Sequence, residues 1–213
     1  MAAKPCSGGV YVGRSTMSQL LLATPTVELV KAKGDEFDRD PSTRLVEDAL
    51  GQLRAHFPHN TETSHVLLKV LALNELYSAR VLDIDVKILA PHIAGLGIDA
   101  RLAEGSSSAV DLITHCDKLR KGCYSFATKY CSWHNPAAYP IYDAYVDECL
   151  WAYKKQDGHQ DGYPEFHRQD LKVYPRLHEV VTQFCSFYRL GSCNFKAIDK
   201  FLWLQGESLF SPT

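Results

Sequence analysis

Asp143 stands where an extended, proline-broken segment gives way to a helical pattern, Tyr139-Pro140-Ile-Tyr-Asp143-Ala-Tyr-Val146. A residue before proline avoids the helical region, so Tyr139-Pro140 forces an extended entry. From Asp143 onward, Val146, Cys149, Leu150 and Tyr153 recur at helical spacing. An Asp at such a helix start accepts backbone N–H bonds and is favoured by the helix dipole. Both interactions keep it ionised. The same carboxylate can be a structural cap or a catalytic group, and the spacing leaves both roles open.

Other chemistry-bearing residues crowd the same stretch. Ser125 and Lys129 lie one helical turn apart and project from one face. Lys129 there is either a solvated helix residue, a partner for Asp143 or a functional amine. His134, in Trp133-His134-Asn135-Pro136, has the side chain suited to acid–base work near neutrality, or to satisfying a turn. Tyr124, Tyr130, Tyr139, Tyr142 and Tyr145 can stack on an unpaired or flipped base, or fill a core. At least three of them suit the core better. The basic run Lys118, Arg120 and Lys121 precedes a helix start, where cations and backbone N–H groups can hold phosphate.

The elements that must position these residues are helical. Residues 1–40 read as an irregular N-terminal segment, with a short strand conceivable at Val27 to Val30. From Pro41 the hydrophobic period is that of helices. They are expected at about 42–57, 62–79, 83–96, 99–103, 107–116, 122–133, 143–154, 173–190 and 195–204. Ser42 or Thr43 can cap the first and Asp83 the third. Apolar residues cover most of the 62–79 helix, which predicts a central, buried position. The stretch from Phe184 to Trp203 reads as core, and Asp199-Lys200 as a surface feature. The expected fold class is all-α, with eight or nine helices in a single domain over 41–213.

Composition narrows the function classes. With 46% hydrophobic and 23% charged residues among 213, the chain is that of an ordinary globular domain. Its net charge of −2 gives no global attraction to polyanions, so a nucleic-acid partner would need cations gathered on one face. No apolar run is long enough to span a membrane. Residues 18–23 are too short and too late for a signal peptide, which points to the cytoplasm. The seven cysteines are odd in number and form no Cys-x-x-Cys. They read as reduced, mostly buried thiols, with no metal site.

Three stretches carry a family resemblance. Pro140-Ile-Tyr-Asp143-Ala-Tyr-Val146 resembles the Pro-x-x-Asp-x-x-Val/Ile element of the helix-hairpin-helix DNA glycosylase superfamily, which includes endonuclease III and the 8-oxoguanine glycosylases. Gly122-Cys-Tyr-Ser125-Phe-Ala127 falls where that family has Gly-x-x-Lys-x-Ala, about 18 residues upstream. The stretch from Leu67 to Ser78 resembles the family's first buried helix, with Asn74 in the place of a Gln that reaches toward DNA. The likeness covers about residues 60–155.

The resemblance implies that Asp143 is the carboxylate that stabilises positive charge on the sugar as the glycosidic bond breaks. Asn74, Tyr77, Ser125, Tyr142 and His134 would shape the base pocket, and DNA would be the partner. Three departures go with it. No Leu-Pro-Gly-Val-Gly hairpin is legible in residues 112–124. Ser125 occupies the place of the family's lyase lysine, as in its purely hydrolytic members, and Lys129 is the candidate replacement amine. Only Cys185 and Cys193 lie near the C-terminus, so no iron–sulfur cluster and no other cofactor is expected. The leading expectation is a DNA glycosylase acting through Asp143 and Lys129. The alternatives are an N-glycosidase for RNA or a nucleoside, and a non-catalytic helical module binding nucleic acid or protein.

Overall fold

The computed structural model describes residues 22–210. Cys6, the glycines Gly8, Gly9 and Gly13, and most of residues 18–23 lie outside them. Among the described residues there are ten α-helices, one 3-10 turn and no strand. The order is α1 (Val27–Arg39), α2 (Pro41–His56), α3 (Thr63–Leu76), α4 (Asp83–Gly95), α5 (Asp99–Glu104) and α6 (Ser108–Thr114). After these come α7 (Tyr124–His134), α8 (Ala144–Asp157), the 3-10 turn Arg168–Lys172, α9 (Tyr174–Phe187) and α10 (Phe195–Phe210).

The first helix is a correction. Residues 27–39, expected to be part of an irregular segment in which 27–30 could form a short strand, are helical. Thr26 caps them with its hydroxyl on the Leu29 N–H at 3.1 Å, and Val30 is fully buried. The helix packs on α10, a contact between chain ends that local periodicity cannot reveal. The caps also differ from expectation. Asp40 caps α2, accepting from the Thr43 N–H at 2.8 Å. Leu82 occupies the cap position of α4, so Asp83 is its first residue.

Helix α3 is packed on one side and open on the other. Val66, Lys69, Val70 and Leu73 are buried, whereas Leu68, Leu71 and Leu76 stay 47%, 48% and 41% exposed. Its neighbours α2, α4 and α7 cover one face, and among the described residues no helix packs over the leucines opposite, so the expected all-round burial is not seen there. Six cysteines lie among the described residues, all unpaired, and Cys116, Cys123, Cys131 and Cys149 are buried. Burial pushes the Cys123 and Cys149 thiols up to about 12, which makes them packing groups rather than nucleophiles.

Helices α1, α2, α3 and α7 adjoin in succession on one side of the molecule, and α8 packs on α10 on the other. Contact between α1 and α10 joins the two sides. A large cavity opens between them. Close packing of α10 on α8 depends on Gly206, where a Cβ would fall 2.6 Å from the Tyr145 Cβ.

Candidate active site

Three features of local structure set the site. The first is the entry to α8. Asp143 is extended (φ −147°, ψ −179°) and its Oδ1 accepts from the Val146 N–H at 2.9 Å. The expected cap is therefore present. Thr128, buried on α7, accepts the Tyr142 N–H on its hydroxyl at 3.1 Å. Thr128 and Tyr142 directly precede Lys129 and Asp143, so this one bond sets the lysine's helix against the carboxylate's segment.

The second feature is the turn after α3. Ser78 and Arg80 both adopt left-handed backbone conformations, with φ of 48° and 58°. Such residues cost about 1 kcal/mol each unless the surroundings hold them. Asn74 supplies the hold, accepting from the Val81 N–H at 2.7 Å and donating to the Val81 carbonyl at 3.0 Å. The turn presents the Tyr77 carbonyl, which accepts from the Lys129 ammonium at 2.8 Å.

The third is the polar stripe of α10. Lys196, Asp199, Lys200, Trp203 and Glu207 recur at helical spacing and all line the cavity. On the opposite face Ile198, Phe201 and Leu202 are buried.

Together these walls enclose about 830 Å³. Lys129 Nζ lies 3.8 Å from Asp143 Oδ2, with side chains only 10% and 12% exposed. Both face the cavity, along with Ser125, Tyr77 and Tyr142. Phe37, Tyr145 and Trp203 complete an aromatic wall. Trp203 meets the other two edge-on, at centroid distances of 6.0 and 5.8 Å. The Tyr142 hydroxyl donates to Asp147 at 2.7 Å, and its ring packs on Tyr124 at 5.0 Å. The Tyr77 hydroxyl donates to Glu47 at 3.0 Å, and Lys196 donates to the same carboxylate at 3.1 Å. Burial pushes the Tyr77 phenol up to about 12. Burial opposes the charge on Lys196, but Tyr77, Glu47 and Asp199 outweigh it and hold the ammonium above its usual range.

Asp199 is the residue that sequence reasoning misplaced as a surface feature. It lines the cavity, and its Oδ1 is closed to solvent with no hydrogen-bond partner among the described residues. Burial, then the charge of Asp143, pushes its carboxyl up to about 7, with Lys196 and Lys129 offsetting part of the rise. The stripe 196-199-200-203-207, polar with one Trp, was the signal available in sequence.

Several expected site residues lie elsewhere. Asn74 does not line the cavity; it braces the turn that does. His134 packs on Tyr130 and Trp133, with ring centroids 5.0 and 4.7 Å away, and does not line the cavity. Burial, and then the Lys69 charge, lowers it to about 3, so it is a neutral packing group rather than an acid–base residue. Of the basic run, Lys121 lines the cavity, while Lys118 and Arg120 are exposed outside it. The Arg120 N–H donates to Asp85 at 3.1 Å, so a buried carboxylate occupies a backbone donor expected for phosphate. Arg80, from the strained turn, also lines the cavity. Among the described residues no three His, Cys, Asp or Glu side chains converge as a metal site, and no helix is long and apolar enough to cross a membrane.

A family model named HI_0787_N, described as an N-terminal domain, matches residues 29–138. That span reaches from α1 to α7 and includes Tyr77, Ser125 and Lys129; Asp143 and Asp199 follow it. A Haemophilus influenzae protein described as an uncharacterized protein is 34% identical over 184 residues, which is 84% of this chain and 83% of that one. No solved structure matches the chain.

Proposed function

The chain belongs to the HI_0787_N family, and for this member we propose hydrolysis of the N-glycosidic bond between a modified or mismatched base and its deoxyribose. The observation that carries the proposal is the Lys129–Asp143 pair, 3.8 Å apart at the wall of an aromatic cavity. Bond cleavage of this kind builds positive charge on the sugar. A fixed carboxylate in a site with little water stabilises that charge strongly, because nothing must reorganise as it forms. Asp143 is fixed by its cap bond, and Lys129 keeps it oriented. The base, turned out of the stack, would lie against Tyr77, Tyr142 and Trp203, with Lys121 and Arg80 taking phosphate.

Lys129 already donates to the Tyr77 carbonyl and pairs with Asp143. An ammonium so engaged offers no lone pair to the sugar, which favours simple hydrolysis over a Schiff-base route. The net charge of −2 and the outlying Lys118 and Arg120 favour a second substrate class for the same chemistry, an RNA or a free nucleoside. As part of the same proposal we place the reaction in the cytoplasm.

The test is to incubate wild type and Asp143→Asn with oligonucleotides carrying damaged or mismatched bases, then treat with hot alkali. Strand scission at the abasic site by wild type alone supports the proposal. Parallel incubations with RNA and nucleosides, read by base release, locate the substrate class. Inactivity of wild type on all three replaces hydrolysis with a binding module. Borohydride should trap no adduct on Lys129.

A further inference from the structure

We propose that Asp199 is the proton donor to the departing base, a second cavity-lining carboxyl beside the one given to Asp143. The inference rests on the glycosidase reading and deepens it. Asp199 sits on the cavity-lining stripe of α10, one turn from Lys196 and from Trp203. Its Oδ1 is sealed from solvent and accepts no hydrogen bond from the described residues.

Each cation that faces Asp199 is committed elsewhere. Lys196, on the same helix, donates to Glu47 of α2 and to the Tyr77 hydroxyl. Lys129, on α7, donates to the Tyr77 carbonyl and pairs with Asp143 at the start of α8. Lys200 pairs with Asp38 of α1 at 2.5 Å. The two nearby carboxylates, Asp143 and Glu47, both repel a second negative charge there. A carboxyl so placed is most stable with its proton on. It then carries the group that its neighbour lacks, an O–H. Two carboxyls with environments that differ in this way divide into an acid and a charge stabiliser.

The step balances without any co-reactant but water. The C1′–N bond breaks and its electron pair goes to the base. The Asp199 proton passes to a ring nitrogen or carbonyl oxygen of that base. Asp143 steadies the charge left on the sugar. Water adds to C1′, and the proton it loses restores Asp199 to the acid form, leaving Asp143 ionised. The products are a neutral base and a sugar with a hydroxyl at C1′.

Two measurements test it. Carboxyl-labelled aspartate is followed by NMR from pH 3 to 9 in wild type, Asp199→Asn and Asp143→Asn. A resonance absent from Asp199→Asn should titrate near neutrality, and should titrate lower in Asp143→Asn. Titration of that resonance below pH ~5 overturns the proposal whether or not activity is found. Excision is then timed in single turnover on oligonucleotides carrying hypoxanthine, which needs a proton to leave, and 7-methylguanine, which is already cationic. Uracil and 5-fluorouracil serve as the pyrimidine pair.

Asp199→Asn should lose about 100-fold or more on hypoxanthine or uracil and less than about threefold on 7-methylguanine. Asp143→Asn should lose on all of them. Equal loss by Asp199→Asn across the pairs overturns the acid role and leaves the glycosidase reading standing. A wild type inactive on every probe, with Asp199 titrating near neutrality, overturns the glycosidase reading and the acid role with it.

Discussion

Replacing Asp143 by Asn and by Ala separates its two roles. Asn caps helices about as well as Asp, so the bond from the Val146 N–H at 2.9 Å survives in Asp143→Asn. What goes is the charge facing Lys129 at 3.8 Å. At an effective dielectric of about 20, that attraction is worth about 4 kcal/mol. Most of it is offset. Lys129 keeps the Tyr77 carbonyl, and the carboxylate no longer needs desolvating. A net loss of about 1–2 kcal/mol is expected. Asp143→Ala loses the cap as well, a further cost of about 1 kcal/mol. Urea denaturation at neutral pH should therefore rank wild type, Asn variant and Ala variant in that order, with about 1 kcal/mol between the last two. Base release in single turnover should fall by at least about 100-fold in both variants alike. Two results would sink the reasoning. Full activity in Asp143→Asn would leave the carboxylate a cap only. Equal stability of the two variants would mean the cap bond contributes nothing.

Further outcomes follow from the same contacts. Asp199, raised from 3.8 to about 7, favours its protonated form in the folded state. Its contribution to stability is complete below its unfolded value and is lost as pH rises through about 7. Wild type should therefore lose ~2 kcal/mol relative to Asp199→Asn between pH 5 and 8, after discounting for access of water to the cavity. Parallel stability curves over that interval would refute this. Asn74→Ala removes both bonds to Val81 and should cost about 1–2 kcal/mol, with faster hydrogen exchange at the Val81 amide. An unchanged exchange rate there would show that the left-handed turn holds itself. Gly206→Ala places a Cβ 2.6 Å from that of Tyr145 and should lower stability by about 1–3 kcal/mol through displacement of α10 from α8. A melting temperature equal to wild type's would contradict so close a packing.

The chain's periodicity went far toward the fold because helices are written locally. Nine of the ten described helices were legible, α2 to α9 within three residues at each end, while α10 runs six residues past its expected end. The exception, α1, is amphipathic but poor in apolar residues overall, and one of its two valines, Val30, is buried. Its place depends on α10, more than 150 positions away along the chain. The exposed leucines of α3 fail for a related reason. Hydrophobicity marks a helix as able to be buried all round, but the number of neighbours decides whether it is.

Asp143 as a helix cap was determined by Pro140, the carboxylate and the apolar positions that follow, all within one short stretch. Lys129 as its partner was legible only as an option; the 3.8 Å pairing required the Thr128 bond and the strained turn at Ser78 to Arg80. Asp199 was legible only as one position on a polar stripe of α10. Its unusual proton affinity is the sum of burial and of charges from α2, α7, α8 and α10, segments far apart in the chain. Sequence spacing sets which side chains share a helix face. Which face meets a cavity, and which charges meet across it, is decided only when the helices pack.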